Sequence, residues 1–375
     1  MAGSIHKYQT KAGKTKYFIM LEVGLDTNGK RKQKKISGFN TKKEAQVALV
    51  EAQSELNKGT YIEPTKMQYR AFVEEWFKTK QKSLGKQTVG VHKMYLDKYI
   101  LPFLGNMTLA ALKTIHINNF INDMHDKGYS PSTIKKAVNI IKNSLEYAID
   151  IEILSKNVAK KVTLPKEEKN EMQAWNEEEV NKFLKVAKNN SQYALFYLAL
   201  MSGLRQGELL GLRWKDIDLE NHFLTINQVL AHNGKDIIKG AKTKSGNRTI
   251  NLSESTIQVL KAHRKTVLEE KLLNGKSYQD QDLVFCTQMG TPIHPSNLRN
   301  RVFNKLIEAA EVPKIRFHDL RHTHATLLLA KGVNIKVISE RLGHSNIKIT
   351  LDTYSHVLPT MQKDAMDKLD NIITS

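Results

Sequence analysis

The chain has 375 residues, enough for two or three domains, and 58 lysines and arginines against 38 aspartates and glutamates give it a formal net charge of +20. This balance favours a polyanionic partner. Because no apolar run is long enough to span a bilayer and no signal-peptide pattern is present, we expect that partner to be nucleic acid rather than a membrane. The single cysteine, Cys286, excludes an intramolecular disulfide framework, fits a reducing cytoplasm and makes a cysteine-rich zinc site implausible.

Residues 1–60 are predicted to form a small basic β-sheet backed by one helix. Strand-like runs occupy residues 17–23 and 31–39, and an Asn-Gly pair at residues 28–29 is a strong signal for a hairpin turn. A helix is predicted from Thr41, whose hydroxyl can cap it while a following glutamate reaches back. A charged sheet of this kind is either simply solvated or in contact with DNA. The second interpretation takes as DNA-binding residues Lys30, Arg31, Lys32, Lys34 and Lys35.

Residues 66–162 are predicted to form a helical bundle. An apolar stripe at helical spacing runs through residues 69–77, and a second one follows a Ser-Pro start signal at residues 130–131. Lysines decorate the polar faces of these helices. They are phosphate-contact candidates only as a group, since such contacts position DNA without reading its sequence. The group comprises Lys78, Lys80, Lys82, Lys135, Lys136 and Lys142.

Residues 173–375 are predicted to form a third domain that is mainly helical and contains a small sheet. Asn176 and Glu179 have the spacing of a reciprocal helix cap. Residues 239–247 are rich in lysine and glycine, as a hairpin turn between strands should be. The predicted strands are 223–226, 236–238 and 248–252. The fold class predicted for the whole chain is therefore α+β multidomain.

The most informative segment is Phe-His-Asp-Leu-Arg-His at residues 317–322, followed by His344 and Tyr354. If this segment opens a helix, His318 and Arg321 are three residues apart and point from the same face. A guanidinium is suited to bidentate contact with phosphate oxygens, and an imidazole exchanges a proton near neutral pH. With the tyrosine hydroxyl as nucleophile, this arrangement is typical of phosphoryl transfer through a covalent phosphotyrosine.

A second arginine supports the same interpretation. Gly203 is expected to end an apolar helix at residues 193–201, and a new helix begins around Arg205. Arg205 then lies on the same core-facing side of this helix as apolar residues. Burying a charge there is unfavourable unless a negative group pairs with it. Glu208, three residues further on, is placed to hold the guanidinium.

These motifs resemble those of the tyrosine recombinases, and specifically the integrases of temperate phages and integrative elements. The matching parts occur in the family's order and at comparable spacing. They are residues 203–208, 242–248, 318–322, 342–344 and Tyr354. The resemblance implies an arm-type DNA-binding domain at 1–60, a core-binding domain at 66–162 and a catalytic domain at 173–375.

The resemblance also implies a role for each residue. Arg205 and Arg321 clamp the phosphate, with His344 as an additional donor, because cations aimed at the non-bridging oxygens stabilise the charge that builds there. His318 either accepts the tyrosine proton or holds the phosphate. Tyr354 attacks and becomes linked to the 3′ side, leaving a 5′-hydroxyl. Neither ATP nor a metal is required.

The departing 5′-oxygen needs a proton, and a lysine on the 239–247 hairpin is a suitable general acid. The family commonly has lysine followed by threonine at this point, which favours Lys242. Lys244 remains the alternative, because two lysines two residues apart on a strand face the same way.

Partners follow from the same resemblance: double-stranded attachment-site DNA, three further copies of the chain in a tetramer, and, by family analogy, an excisionase and a host DNA-bending protein. The tail at residues 361–373 has apolar residues at helical spacing. We expect it to dock on a neighbouring protomer, with packing on its own domain as the alternative. The setting expected is a bacterial cytoplasm.

Two other functions compete. Residues 337–349 resemble a helix-turn-helix with Gly343 in the turn and Ser345 capping the second helix, so the chain would be a DNA-binding regulator without catalysis. That hypothesis leaves Arg205 and the lysine hairpin unexplained. A tyrosine recombinase that acts as a resolvase or invertase is the nearer alternative, and the basic N-terminal domain argues against it.

Overall fold

The computed structural model describes residues 3–10, 13–25, 31–57, 61–62, 65–167, 173–240 and 247–354. The chain divides into two compact units, Met1–Lys169 and Asn170–Ser375. Across the described ranges, no helix combines the length and apolar character needed to cross a membrane. The predicted fold class is confirmed, since small sheets and helices of the expected kinds occupy the expected parts of the chain.

The first unit begins with a three-stranded antiparallel sheet in the order β1-β2-β3. Its strands are β1 (Gly3–Gln9), β2 (Thr15–Leu25) and β3 (Arg31–Phe39), and α1 (Lys42–Asn57) covers one face. Ile19 and Leu21 are buried against Ala45 and Leu49 of α1. The sequence predicted β2 and β3, whereas β1 has too few apolar residues to stand out. The turn predicted at residues 28–29 lies outside the described residues.

The start of α1 follows the predicted cap with one difference. The Thr41 hydroxyl accepts a hydrogen bond from the Glu44 backbone N–H at 3.2 Å, as expected. The Glu44 carboxylate reaches back one residue further than predicted, to the N–H of Asn40 at 2.9 Å.

The rest of the first unit is the helical bundle that the sequence predicts. Tyr69, Phe72, Val73 and Trp76 are buried along one stripe of the first helix of the bundle. Ser130 caps the last one, with its hydroxyl accepting from the Thr133 N–H at 3.3 Å. The helices are α2 (Tyr69–Lys80), α3 (Lys86–Tyr95), α4 (Leu101–Leu104), α5 (Thr114–Asp126) and α6 (Pro131–Asp150).

The second unit is mainly helical and is built on an aromatic core that includes Trp175, Phe183, Phe196 and Phe303. The predicted reciprocal cap is present, because the side chains of Asn176 and Glu179 each accept the other's backbone N–H. The helices are α7 (Glu177–Ala187), α8 (Tyr193–Ser202), α9 (Gln206–Leu210), α10 (Glu254–Asn274), α11 (Pro295–Asn297), α12 (Asn304–Ala310), α13 (Asp319–Ala330), α14 (Ile335–Leu342) and α15 (Ile347–Tyr354).

Two small antiparallel sheets lie between α9 and α10 in the chain, one in the order β4-β5-β8 and one pairing β6 with β7. The predicted strands correspond to β5, β7 and β8, while the short β4 and β6 were not predicted. Residues 241–246, with Lys242 and Lys244, lie outside the described residues. The strands are β4 (Ile217–Asp218), β5 (Phe223–Thr225), β6 (Gln228–Leu230), β7 (Ile237–Lys239) and β8 (Thr249–Asn251).

Candidate active site

The junction between α8 and α9 brings the first arginine into position. Gly203 ends α8 in the left-handed conformation with φ = 66°, as predicted. A Cβ at this position would lie 2.7 Å from the His324 ring and 2.8 Å from the Leu342 side chain, so only glycine fits. The chain then turns at Arg205, which occupies the N-cap position of α9.

Glu208 is a buried carboxylate shared by two arginines. Its Oε1 accepts from Arg205 Nη1 at 2.8 Å and from Arg248 Nη1 at 3.2 Å. Its Oε2 accepts from the Arg205 backbone N–H at 2.9 Å and from Arg248 Nη2 at 3.0 Å. Burial alone would raise the pKa of the Glu208 carboxyl, but the hydrogen bonds and charge of Arg248 and then Arg205 bring it below its usual value. Glu208 is therefore ionised at neutral pH.

Arg321, in the first turns of α13, is held by main-chain oxygens. Its Nη1 donates to the Gly203 carbonyl at 2.9 Å and its Nη2 to the Leu342 carbonyl at 2.6 Å, and the residue is only 2% exposed. Burial, followed by the positive charge of Arg205, lowers the pKa of Arg321 to about 9. The guanidinium stays protonated at neutral pH, so it places a fixed charge near Arg205.

The two predicted histidines lie within the field of these cations. His318 is the N-cap residue of α13, and His344 follows α14, where its Nδ1 lies 2.8 Å from the Thr350 hydroxyl oxygen. Burial, then the charges of Arg321 and Arg205, lowers the pKa of His344 to about 4. Burial, then Arg321, lowers the pKa of His318. Both imidazoles are neutral at pH 7, and each can donate or accept a hydrogen bond without adding charge.

Tyr354 ends α15 and is 2% exposed, packed against Ala325, Leu329 and other apolar residues. Its hydroxyl oxygen lies 2.8 Å from His322 Nδ1. Burial raises the pKa of the Tyr354 phenol to about 12 and lowers that of the His322 imidazole to about 4, so both are neutral at pH 7. The tyrosine is therefore paired with a neutral imidazole rather than with a charge.

His322 and Arg248 contact the predicted site residues, although neither was among them. A signal for His322 was available, because it lies one helical turn beyond His318 on α13. No local spacing points to Arg248, since its partner Glu208 is 40 residues away in the sequence.

A fourth arginine links the surrounding elements. Arg341, in the last turn of α14, donates to the carbonyls of Asn251 at 3.0 Å and Met201 at 2.9 Å, and its Nε to His324 Nε2 at 3.2 Å. Its own carbonyl accepts from Arg248 Nε at 2.7 Å. These bonds fix the end of α14, from which His344 follows.

The segment proposed as a helix-turn-helix does contain two helices, α14 and α15, with Gly343 at φ = 67° between them. The cap differs from the prediction. The Asn346 side chain, not that of Ser345, accepts from the N–H of Lys348 at 2.9 Å. This segment carries His344 and Tyr354, so it belongs to the candidate active site.

The lysines predicted to contact DNA have different surroundings. Strand alternation places Lys35 on the open face of the N-terminal sheet, 4.0 Å from the centre of the Phe18 ring, and Lys32 and Lys34 on the side of α1. Lys30 and the side chain of Arg31 lie outside the described residues. The bundle lysines are exposed, and Lys135 lies 3.9 Å from Glu167.

Comparison with known proteins finds similarity along most of the chain. The model of the phage integrase family matches residues 173–361, that of the phage integrase N-terminal SAM-like domain residues 69–125, and that of an arm DNA-binding domain residues 4–56. A tyrosine recombinase XerC-like protein of Caldanaerobacter subterraneus subsp. tengcongensis is 35% identical over 383 residues, covering 96% of this chain and 97% of the relative.

Solved structures show the same fold. The integrase of the Tn1549 transposon, in complex with a circular-intermediate DNA, has a TM-score of 0.69 at 22% identity. The match covers 81% of this chain and 100% of the integrase chain in that structure. A lambda integrase tetramer bound to a Holliday junction has a TM-score of 0.60 at 17% identity, covering 92% and 94%.

The second unit gathers three arginines and several neutral histidines, and one of these histidines, His322, lies 2.8 Å from the Tyr354 hydroxyl oxygen, an arrangement suited to phosphoryl transfer. The family match extends this to DNA: the chain belongs to the phage integrase family of tyrosine recombinases. It is a DNA-binding, tyrosine-type site-specific recombinase, which cuts and rejoins DNA through a phosphotyrosyl intermediate. The regulator hypothesis is therefore set aside.

Proposed function

We propose that the chain integrates and excises a mobile genetic element, with Tyr354 as the nucleophile and Arg205 and Arg321 as the phosphate clamp. The observation that carries the proposal is the group of guanidiniums around Glu208 and Arg321, in the same unit as a buried and neutral tyrosine. Burial, then the charges of Arg205 and Arg248, lower the pKa of Arg321, and Arg205 and Arg248 share the carboxylate of Glu208, so three guanidiniums accompany one carboxylate among these four residues, an excess of positive charge. The charge of a phosphodiester offsets this excess, and more so as negative charge grows in the transition state.

In the proposed reaction, the Tyr354 hydroxyl oxygen bonds to the scissile phosphorus, and the bond from phosphorus to the 5′-oxygen of the next nucleotide breaks. The phenolic proton passes to a neutral imidazole, either His322, its partner in the DNA-free structure, or His318 on the same helix. The departing 5′-oxygen takes a proton from Lys242, with Lys244 as the alternative. Attack by a 5′-hydroxyl then reverses the sequence and rejoins a strand, so the phosphoester energy is retained and neither ATP nor metal enters.

The domain assignment belongs to the same proposal: residues 1–60 bind arm-type sites, residues 66–162 bind the core site and residues 173–375 carry out the chemistry. The arm-domain match supports an integrase over a resolvase or invertase. The Tn1549 transposon integrase supports action on a mobile element, and the lambda integrase tetramer supports a homotetramer on DNA. The proposal also includes an excisionase, a host DNA-bending protein and a bacterial cytoplasmic setting. The tail at residues 361–373 lies outside the described residues, and we propose that it docks on a neighbouring protomer.

Covalent trapping tests the proposal. Wild-type protein is incubated with nicked duplexes tiled across the DNA that flanks the gene, and the products are separated under denaturing conditions. A protein–DNA adduct is expected in the wild type and is expected to be absent from Tyr354→Phe, because only the hydroxyl oxygen forms the bond to phosphorus. The matched control is Tyr278→Phe, which removes another hydroxyl of the second unit, 3.4 Å from Cys286 Sγ, and should leave the adduct intact.

Two results would overturn the assignment of Tyr354. One is an adduct that persists in Tyr354→Phe, since the nucleophile would then be another residue. The other is tight, specific binding by wild type to one of the duplexes without any adduct.

A further inference from the structure

We propose that Arg248 is a positioning residue: it neutralises and fixes Glu208, so that the charge of Arg205 remains available to the scissile phosphate. The inference rests on the proposed function, because it assumes that Arg205 clamps the phosphate. Arg248 has no direct part in the proposed reaction.

The contacts on Glu208 are divided unequally between the two arginines. Arg248 engages both carboxylate oxygens with its two terminal nitrogens, at 3.2 and 3.0 Å, which is the bidentate geometry of a strong guanidinium–carboxylate pair. The Arg205 guanidinium contacts one oxygen only, through Nη1. Glu208 is therefore matched chiefly by Arg248.

The two arginines also differ in their exposure to solvent. The Arg248 side chain is 7% exposed and that of Arg205 is 41% exposed, although both bind the same carboxylate. The buried guanidinium is placed as an anchor, whereas the exposed one is accessible to DNA. Without Arg248, the buried Glu208 carboxylate would have Arg205 as its remaining ion-pair partner among the described contacts, and it would compete with phosphate for that charge.

Arg248 also connects the two guanidiniums of the phosphate clamp. Arg248 Nε donates to the Arg341 carbonyl at 2.7 Å, and the next carbonyl along the chain, that of Leu342, accepts from Arg321 at 2.6 Å. Arg248 thus connects Glu208, which holds Arg205, to the helix end that holds Arg321. Loss of the Arg248 side chain should therefore change the distance between the Arg205 and Arg321 guanidiniums. It should also make the charge of Arg205 less available to the phosphate.

A double-mutant cycle on first-strand cleavage tests this, using the duplex that wild type cleaves. Arg248→Lys keeps the charge but lacks the planar fork, and we expect it to slow single-turnover adduct formation by about tenfold or more. In an Arg205→Ala background, Arg248→Lys should slow cleavage by less than about threefold, because the effects of substituting two residues that act as a unit are not additive. A purely structural role would give the same factor in both backgrounds.

Modified substrates separate the mechanisms further. A methylphosphonate at the scissile position lacks one charged oxygen, so the defects of Arg248→Lys and Arg205→Ala should both shrink on it. A 5′-bridging phosphorothiolate has a leaving group that needs no protonation, and the Arg248→Lys defect should persist there. Rescue on the phosphorothiolate would overturn the inference, because it would place the effect at the leaving group.

Arg213→Lys is the matched control, since Arg213 binds both oxygens of Asp216 at 2.7 and 3.1 Å within the same unit. It should change the thermal midpoint about as much as Arg248→Lys and leave cleavage near the wild-type rate. Equal cleavage by Arg248→Lys and wild type would overturn the inference alone. Absence of an adduct with wild type on every duplex would overturn the proposed function as well.

Discussion

The open face of the N-terminal sheet and the candidate active site both carry positive charge, but in different ways. On the sheet, the Lys35 ammonium lies over the Phe18 ring at 4.0 Å on an exposed strand. In the active site, Arg321 is 2% exposed and donates to two main-chain carbonyls. A flexible surface lysine is screened by salt and replaceable by its neighbours, whereas a buried guanidinium is fixed before the substrate arrives.

The difference shows that the net charge of the chain says little about chemistry. Surface charges bring DNA to the protein and contribute collectively to affinity. Buried charges are unfavourable for the folded protein by themselves, and they are useful because no reorganisation is needed when negative charge develops on a phosphate. Substitutions in the two regions should therefore separate binding from cleavage.

The largest effect is expected from Arg321→Lys. The variant keeps a positive charge but loses the planar guanidinium. An ammonium group cannot reproduce the bonds to the Gly203 and Leu342 carbonyls and also donate to phosphate oxygens. We expect first-strand cleavage to fall by roughly a thousandfold and the dissociation constant for DNA to change by less than about threefold. Adduct formation and gel-shift titration measure the two quantities. A parallel loss of binding and cleavage would contradict the distinction between the regions.

An intermediate effect is expected from pH, and it should depend on the buried histidines. Burial, then the charge of Arg341, lowers the pKa of His324 to about 3, so the folded state leaves it neutral while the unfolded state protonates it below its usual value of 6.5. Because the unfolded state then binds more protons, stability falls as pH falls from 6.5 toward 3.

Denaturant unfolding between pH 6.5 and 5 measures this dependence. His324→Gln should reduce the slope of unfolding free energy against pH by about one proton, because glutamine does not titrate. Equal slopes for wild type and His324→Gln would show that His324 does not contribute.

The smallest effect is expected on the sheet. Lys35→Ala should weaken DNA binding severalfold at low salt and reduce the slope of log affinity against log salt by about one, because one phosphate contact is lost. Lys34→Ala is the matched control: Lys34 is adjacent in the same strand but lies half-buried on the side of α1. An equal change of slope in both variants would mean that the open face is not the binding face.

Local signals in the sequence predicted much of this structure. The features predicted correctly each depend on residues no more than a few positions apart. They are the caps at Thr41 and Asn176, the end of α8 at Gly203 and the Arg205–Glu208 pair. Physical rules for helix ends and for pairs one turn apart cover such cases.

Features that depend on distant pairing were missed. β1 exists because it pairs with β2, and β6 because it pairs with β7, not because of their own patterns. Arg248 meets Glu208 across 40 residues, and His322 meets Tyr354 across 32. A sequence rich in arginine and histidine gives no means of deciding which of them the fold brings together.

The two bonds that hold Arg321 also have a genetic consequence. Both acceptors are main-chain oxygens, and a base change can replace the side chain at Leu342 but not its carbonyl. Arg205, by contrast, depends on the carboxylate of Glu208, which a single codon change removes. Mutations of partner residues should therefore affect the two clamp arginines differently. Arg205 can be displaced by substitution of Glu208, whereas Arg321 is displaced only by changes that move the backbone at its acceptor carbonyls.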